Sequence, residues 1–539
     1  MGGTTLLCVL AGVVWVSSPM DCAARPNIIV IVADDLGWGD VSFHGSQQIR
    51  TPNIDALATD SIVLDNHYVS PLCTPSRATL LSGRHPIHTG LQHNVIYSAM
   101  PYAFPLHFKL MPEYFKALGY ESHAVGKWHL GHMTRNHTPT RRGFDSFYGY
   151  YSGHHGYTDH SAFEEYMDDP KDQWTGWGLD LWHNLQADRS KSGNYTTQLF
   201  TEKAIEILKN RDRSKLVEAL NATDAIQDTI IALTTDNGAA TGGIDSSAGS
   251  NWPLRGTKAN HWEGGVRGIA LVWSPMIRQP RVSRQLMHVS DWLPTLYSAA
   301  GGNVEDLGDI DGVDMWRSLV TGHGSPRSEV LHNIDPIWNM SALRVGRYKY
   351  LNGTYGDGRY DGWYEPLQER GFEFGLYGVD NTSGDKYGLR HLYDDGNTTP
   401  LTAADYYNAR QQEPPSYRDS SSSAARSNNL LDRTCAVART FLSIGRALPK
   451  HSPWQVMTEC GQPRKSECKP LEKPCLFDIE RDPCEIDNIA DDYPHVLRSL
   501  ENRLQQHKKT MVPPLNKPPT RRSDPRYFDF TWAPYMDTV

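Results

Sequence analysis

Two short runs constrain this chain more than anything else in it. Asn27-Ile-Ile-Val-Ile-Val-Ala33 and Thr229-Ile-Ile-Ala-Leu-Thr-Thr235 are continuous and β-branched. Each runs straight into a polar dipeptide, Asp34-Asp35 and Asp236-Asn237. A strand with no polar alternation reads as buried on both faces, the environment of a parallel sheet covered by helices. Helical and strand patterns alternate between the two runs. Met111 to Leu118 reads as a helix stopped by Gly119, and Ser122 to Val125 as a short strand leading into Gly126-Lys127-Trp128-His129. Thr196 to Asn210 reads as an amphipathic helix with Phe200, Ala204, Ile207 and Leu208 on one face. The class is α/β, and ligands of such sheets gather at the carboxyl ends of the strands.

Asp34, Asp35, Asp236 and Asn237 are thereby expected at one edge. Three carboxylates and an amide are hard oxygen donors, suited to Ca²⁺ or Mg²⁺ rather than zinc; either dipeptide alone also fits an ordinary loop cap. Cys73-Thr-Pro-Ser-Arg77 precedes Ala78-Thr-Leu-Leu-Ser-Gly83. Pro75 suits a first helical turn and Gly83 a helix end, so Cys73 falls at a helix N-terminus, where backbone N–H groups favour an anion. The plainer alternative is a small buried cysteine ahead of a helix.

The 539 residues carry 53 basic and 62 acidic side chains, a net charge of −9, which argues against a general nucleic-acid or anionic-membrane binder. The 22 histidines could reverse that sign in an acidic compartment. Thr4 to Val16 is apolar but shorter than the ~20 residues a membrane-spanning helix needs, so no transmembrane anchor is expected. With the small residues that follow, residues 1–24 read as a secretory signal peptide. N-x-[ST] sequons at Asn136, Asn194, Asn221, Asn339, Asn352, Asn381 and Asn397 fit a glycosylated, lumenal or extracellular protein. Cys8 and Cys22 lie in or beside the leader and Cys73 stands alone. Cys435, Cys460, Cys468, Cys475 and Cys484 cluster late, as in a local disulfide network with one thiol left over.

The texture changes near residue 340. Ser341 to Leu351 alternates like an edge or antiparallel strand, residues 400–430 form a polar, Ser-rich insertion, Cys475 to Ile479 reads as a short strand, and Pro494 to Lys508 as a helix with Val496, Leu497, Leu500 and Leu504 on one stripe. This gives a main domain over 25–340 and a smaller α+β domain over 341–539.

On these residues the chain resembles the sulfatase family. Cys73-Thr-Pro-Ser-Arg77 fits that family's modification motif. Gly126-Lys-Trp-His-Leu-Gly131, Ala33-Asp-Asp-Leu-Gly-Trp38, Thr235-Asp-Asn-Gly238 and Asn251-Trp-Pro-Leu-Arg-Gly256 with Lys258 and Trp262-Glu-Gly-Gly-Val-Arg-Gly268 fit further blocks. Gly90-Leu-Gln-His93, Thr140-Arg-Arg-Gly-Phe-Asp145 and His332-Asn-Ile-Asp-Pro336 are similar to the arylsulfatase B, N-acetylgalactosamine-4-sulfatase-like branch. The resemblance implies an alkaline-phosphatase-like, mostly parallel sheet flanked by helices. It implies hydrolysis of sulfate esters on sulfated glycosaminoglycans or related glycans, in a lysosome or outside the cell. Cys73 would be oxidised to formylglycine by the formylglycine-generating enzyme, and one Ca²⁺ would be held by Asp34, Asp35, Asp236, Asn237 and position 73. Arg77 would hold the hydrated aldehyde, Lys127 and Lys258 would bind sulfate oxygens, and His129 would take the proton of the second hydroxyl.

The chain departs from that family in one place. Only Arg211 to Asp228 separates the helix ending at Asn210 from the strand starting at Thr229, where related chains carry a core strand, a histidine loop and a long helix. No histidine occurs between His183 and His261. One strand, one helix and the leaving-group histidine are therefore expected to be missing, leaving His154, His155 or His261 to serve as acid. The competing readings are a silent glycan-binding homologue and a phosphoester or phosphonate hydrolase on the same scaffold.

Overall fold

The computed structural model describes residues 25–46, 48–166, 173–210, 228–242, 247–277, 279–365, 456, 458–460 and 467–537. The expected leader (1–24), the 400–430 insertion, Asn221, Asn381, Asn397 and Cys435 lie outside them. The elements that position the site are β1 (Asn27–Ala33), β2 (Ile62–Leu64), α1 (Cys73–Ser82), β3 (His123–Lys127), β4 (Ser146–Tyr150), α2 (Thr196–Asn210), β5 (Thr229–Thr235), β6 (Ala270–Trp273), β7 (Arg281–Ser283) and α3 (Trp292–Ala299). They are followed by β8 (Glu329–Asp335), β9 (Met340–Val345), β10 (Tyr348–Asn352), β11 (Cys475–Asp478) and α4 (Pro494–Lys508).

The central sheet runs β1-β5-β6-β2-β7. β1 and β5 are parallel over their whole length, Asn27 opposite Thr229 and Ala33 opposite Thr235, so both polar dipeptides leave the sheet at the same edge and height. β6 is antiparallel to both β5 and β2, so the sheet carries both directions. β5 is buried throughout, as its composition demands. One face of the sheet packs on α1 and α3 through Ile230, Ala232, Ala270, Val272, Leu80, Trp292, Leu293 and Leu296. Burying one such aliphatic side chain contributes about 1.5–3 kcal/mol.

β1 departs from the double-sided burial its composition suggests. It is half-buried along most of its length, and Ile31 is 42% exposed. The reason is positional, because β1 ends its sheet and no described strand pairs beyond it. The neighbouring sheet starts with β3, parallel to β4, and β3 is half-buried too. Side chains span the space between β1 and β3. Lys127 Nζ meets Asp34 Oδ2 at 2.6 Å at the carboxyl ends, and the Tyr120 hydroxyl donates to the Pro26 carbonyl at 2.7 Å near the amino ends. It is between these two edges that the sequence reading expects a strand to be missing; the segment concerned, 211–227, lies outside the described residues.

The second unit is an antiparallel sheet, β8-β9-β10-β11, backed by α4. It begins at Glu329, so the boundary placed at 340 cuts through it. His332 and Asn333 are buried inside β8, and their polarity disguises a strand. Ser341–Leu351 is a hairpin rather than one strand, turned at Gly346, whose φ of 55° lies in the left-handed region. Two disulfides, Cys460–Cys484 and Cys468–Cys475, tie this unit; Cys73 is the free cysteine among the described residues.

Candidate active site

Every expected site residue on β1, α1, β3, β5 and the Lys258 loop is drawn to one sheet edge. Cys73 opens α1, whose residues are almost all buried and whose end is set by Gly83 at φ 67°. Ligand atoms of Asp34, Asp35 and Cys73 lie within 4.8 Å of one another. Arg77, one helical turn on from Cys73, joins three elements. Its Nη2 donates to Asp34 Oδ2 (2.8 Å), its Nε to Asp236 Oδ2 (2.9 Å) and its Nη1 to the Lys127 carbonyl (2.9 Å). Lys258 Nζ meets Asp35 Oδ2 at 2.8 Å, and Asn237 Nδ2 donates to Asp35 Oδ1 at 2.5 Å.

The electrostatics follow from burial. Desolvation pushes Asp34 up, but Lys127 and Arg77 outweigh it and hold the carboxyl well below the usual range. Asp236, 1% exposed, is pushed up to about 7 by burial and then by Asp34 beside it. Burial raises the Cys73 thiol to about 12 despite Lys127. An unmodified Cys73 therefore stays protonated at neutral pH and is a poor nucleophile.

The residues fit a hard cation. Asn237 Oδ1 is buried without a hydrogen-bond partner, since the amide donates through Nδ2 and leaves its oxygen free. An orphaned amide oxygen beside three carboxylates is the donor set that Ca²⁺ takes. Asp35 (φ 55°), His129 (φ 56°) and Ala259 (φ 76°) adopt left-handed backbone in this small region, strain of the kind that active sites hold.

His129 joins the group through the backbone, its carbonyl accepting from Thr74 Oγ1 at 3.0 Å. Its ring is neutral, because burial and then the Lys127 and Arg77 charges pull its pKa well below 6.5. Nδ1 is buried without a hydrogen-bond partner among the described residues. Gly153 abuts this ring, and a Cβ there would sit 2.9 Å from both Cε1 and Nε2. Gly153→Ala is therefore expected to displace His129 and lower kcat about 10-fold, with KM and Tm little changed. Steady-state kinetics and a thermal melt would check this; an unchanged kcat would mean the ring carries no proton in the rate-limiting step.

Of the three substitute histidines, His155 has both ring nitrogens bonded, His154 has one bonded, and His261 keeps both nitrogens without a hydrogen-bond partner. His154 Nε2 is bonded to the Phe163 carbonyl (3.0 Å). His155 stacks on Tyr150 at 4.1 Å, with its nitrogens bonded to the Asp180 carbonyl and Thr196 Oγ1. His261 is buried, and burial followed by the Lys349 charge lowers its pKa to about 3. Sequence reading missed Thr74, Gly153 and Tyr150. Tyr150 pairs in register with Lys127 across β3 and β4, a long-range match that no local pattern reports.

The sulfatase family profile matches residues 26–217 and 213–302, the span that carries this cluster. This chain belongs to the sulfatase family. Mouse arylsulfatase J is 32% identical over 563 residues, covering 95% of this chain and 80% of its own length. Dog N-acetylgalactosamine-6-sulfatase is 30% identical and covers 60% of this chain and 71% of its own. Among solved structures, Ps i-CgsB in complex with k-i-k-neocarrahexaose has a TM-score of 0.59 at 21% identity, covering 94% of this chain and 99% of its own, a likeness of fold. The sulfatase fold is thus the alkaline-phosphatase-like one expected, with mixed sheets and flanking helices. The reaction class is sulfate-ester hydrolysis.

Proposed function

We propose that this sulfatase removes sulfate from glycans, using formylglycine at position 73 and one Ca²⁺. The observation that carries the reading is Cys73 at a buried helix N-terminus, its ligand atom within 4.8 Å of those of Asp34 and Asp35, which are themselves paired with Arg77, Lys127 and Lys258. Asp34, Asp35, Asp236 and Asn237 would hold the cation, which when bound supplies Lewis-acid polarisation of the sulfate. Position 73, once oxidised to the aldehyde and hydrated by water, would supply one of its two hydroxyls to attack sulfur. Lys127 and Lys258 each stand on a carboxylate, close enough to pair with sulfate oxygens and hold charge that grows in the transition state. Arg77 fixes the two carboxylates on either side of the nucleophile's position. His129, neutral and unpartnered at Nδ1, accepts the proton released at position 73.

Cys73 is 2% exposed, so its modifying enzyme must reach it before α1 docks in the fold. That is consistent with formylglycine-generating enzyme acting early in the secretory pathway, and with a lysosomal or extracellular destination. Among the sequons, Asn136, Asn194 and Asn339 are exposed and Asn352 half-buried. A sugar as leaving group is supported by a 30% identical relative named for N-acetylgalactosamine.

A slower enzyme is the second reading, favoured by the bonded or buried state of His154, His155 and His261. An unassisted leaving alcohol forfeits about 10²–10⁴-fold in rate. Peptide mass spectrometry of the secreted protein is expected to find formylglycine at position 73, with calcium-dependent release of inorganic sulfate from a sulfated glycan. Cysteine alone at 73 would remove the nucleophile and leave a silent binder, and release of phosphate but not sulfate would reassign the substrate.

A further inference from the structure

Two motifs of the sequence play no part in the cluster above, Gly90-Leu-Gln-His93 and His332-Asn-Ile-Asp-Pro336. The fold joins them. Asn333 Nδ2 donates to the Gln92 carbonyl at 2.7 Å, and His93 Nδ1 meets Asp335 Oδ2 at 2.9 Å. The other oxygen of Asp335 accepts from the backbone N–H groups of Ile337 (2.8 Å) and Trp338 (3.0 Å). One buried carboxylate thereby fixes a histidine and a tight turn that holds Ile337, 55% exposed, and Trp338, half-buried.

An aromatic row begins at this turn. The ring of Trp338 meets His93 at 4.7 Å and Tyr355 at 5.0 Å, and Tyr355 stacks on Tyr360 at 5.9 Å. Trp338, Tyr355 and Tyr360 are all half-buried. Both ends of the row are tied to the catalytic cluster. Three residues after His93, the Ile96 N–H donates to Thr74 Oγ1 at 3.1 Å, beside Cys73. At the far end Asn260 Nδ2 donates to the Tyr360 carbonyl at 2.9 Å, two residues from Lys258. Gly256 N–H donates to the Gly362 carbonyl at 2.8 Å, and Tyr364 packs on Gly242 beyond the Asp236-Asn237 loop.

We propose that His93, Trp338, Tyr355 and Tyr360 form a wall that binds the sugar ring bearing the sulfate and sets which glycan is accepted; this rests on the glycan reading above. A pyranose presents a face of C–H groups, weakly positive, which lies against the negative faces of aromatic rings. Its hydroxyl edge needs a fixed hydrogen-bonding group. His93, held by Asp335 through Nδ1, offers Nε2. Rigid aromatics with one placed polar group are how small-molecule sites gain orientation. The row is anchored rather than free, so little entropy is lost when a ligand settles on it. Arg359, exposed and 6.0 Å from the Tyr360 ring, adds a cation where a further sulfate or uronate would extend.

The test compares Trp338→Ala, Tyr360→Ala and His93→Gln with the parent, on a sulfated N-acetylgalactosamine oligosaccharide and on 4-methylumbelliferyl sulfate. Because Asn339 adjoins Trp338, each is assayed before and after enzymatic removal of N-glycans. Each variant is expected to lose at least about 10-fold more kcat/KM on the oligosaccharide than on the aryl ester, mainly through KM. Trp338→Phe should recover most of that loss. Calorimetric binding of the oligosaccharide to Cys73→Ala protein, which cannot turn over, should weaken by a similar factor when Trp338→Ala is added. Equal losses on both substrates, or undiminished binding, would overturn the wall. If no sulfate ester is cleaved by the parent while the Cys73→Ala binding difference persists, the glycan-hydrolase reading fails and the wall stands.

Discussion

Arg77→Met is expected to abolish turnover and to lower the unfolding free energy by about 3–5 kcal/mol in the presence of a chelator, the cost of breaking a buried ion pair from one side. Among the described residues, Arg77 is the side chain that bonds Asp34, Asp236 and the carbonyl of Lys127 together. Without it Asp236, already pushed up to about 7 by burial and Asp34, loses its nearest cation and must take up a proton or stay charged in a dry site. Added calcium should restore part of the lost stability, because a divalent cation neutralises the same carboxylates. It should not restore activity. Chemical denaturation with and without calcium checks both parts. A variant within 1 kcal/mol of the parent in chelator would show that the carboxylates are hydrated rather than held by Arg77.

The site was legible in the sequence because its chemistry is local. Asp34-Asp35 and Asp236-Asn237 follow runs whose composition admits little but a strand, and the strands formed over Asn27–Ala33 and Thr229–Thr235 as read. Pro75 and Gly83 bracket a helix that puts Cys73 at its start. What stayed hidden depends on contacts far apart in the chain. Tyr150 reaches Lys127 only through parallel pairing of β3 and β4. Gly153 reveals its purpose only when the His129 ring lies against it. β8 was passed over because buried His332 and Asn333 make a core strand look like a loop, and Gly346 was too small a signal to split one strand into a hairpin. The half-exposed β1 follows from its place at the end of its sheet among the described strands, not from its own residues.

The second large effect is expected at the seam between the two units. Lys349, on β10, reaches back to Glu263 (2.9 Å) and Glu485 (2.8 Å), and all three side chains are 0% exposed. Glu263 is further held by the Tyr68 hydroxyl at 2.8 Å and by Arg267 at 3.6 Å. Glu485 has fewer partners, and burial pushes it up to about 7 in spite of Lys349. Lys349→Met removes the one cation shared by both carboxylates, so a loss of about 3–5 kcal/mol, or failure to secrete, is expected. Glu485→Gln keeps an oxygen that can accept from the Glu263 N–H and removes a charge, so Lys349→Met with Glu485→Gln should lose less than Lys349→Met alone. The sign with pH is fixed by Glu485. Its folded pKa lies above the unfolded value of 4.5, so its protonation contributes stability that is complete below about 4.5 and is lost as pH rises through about 7. Glu485→Gln should therefore look better against the parent at pH 8 than at pH 5. Denaturation midpoints at the two pH values decide the matter; a reversed order would show that Glu485 is not the carboxyl raised by burial.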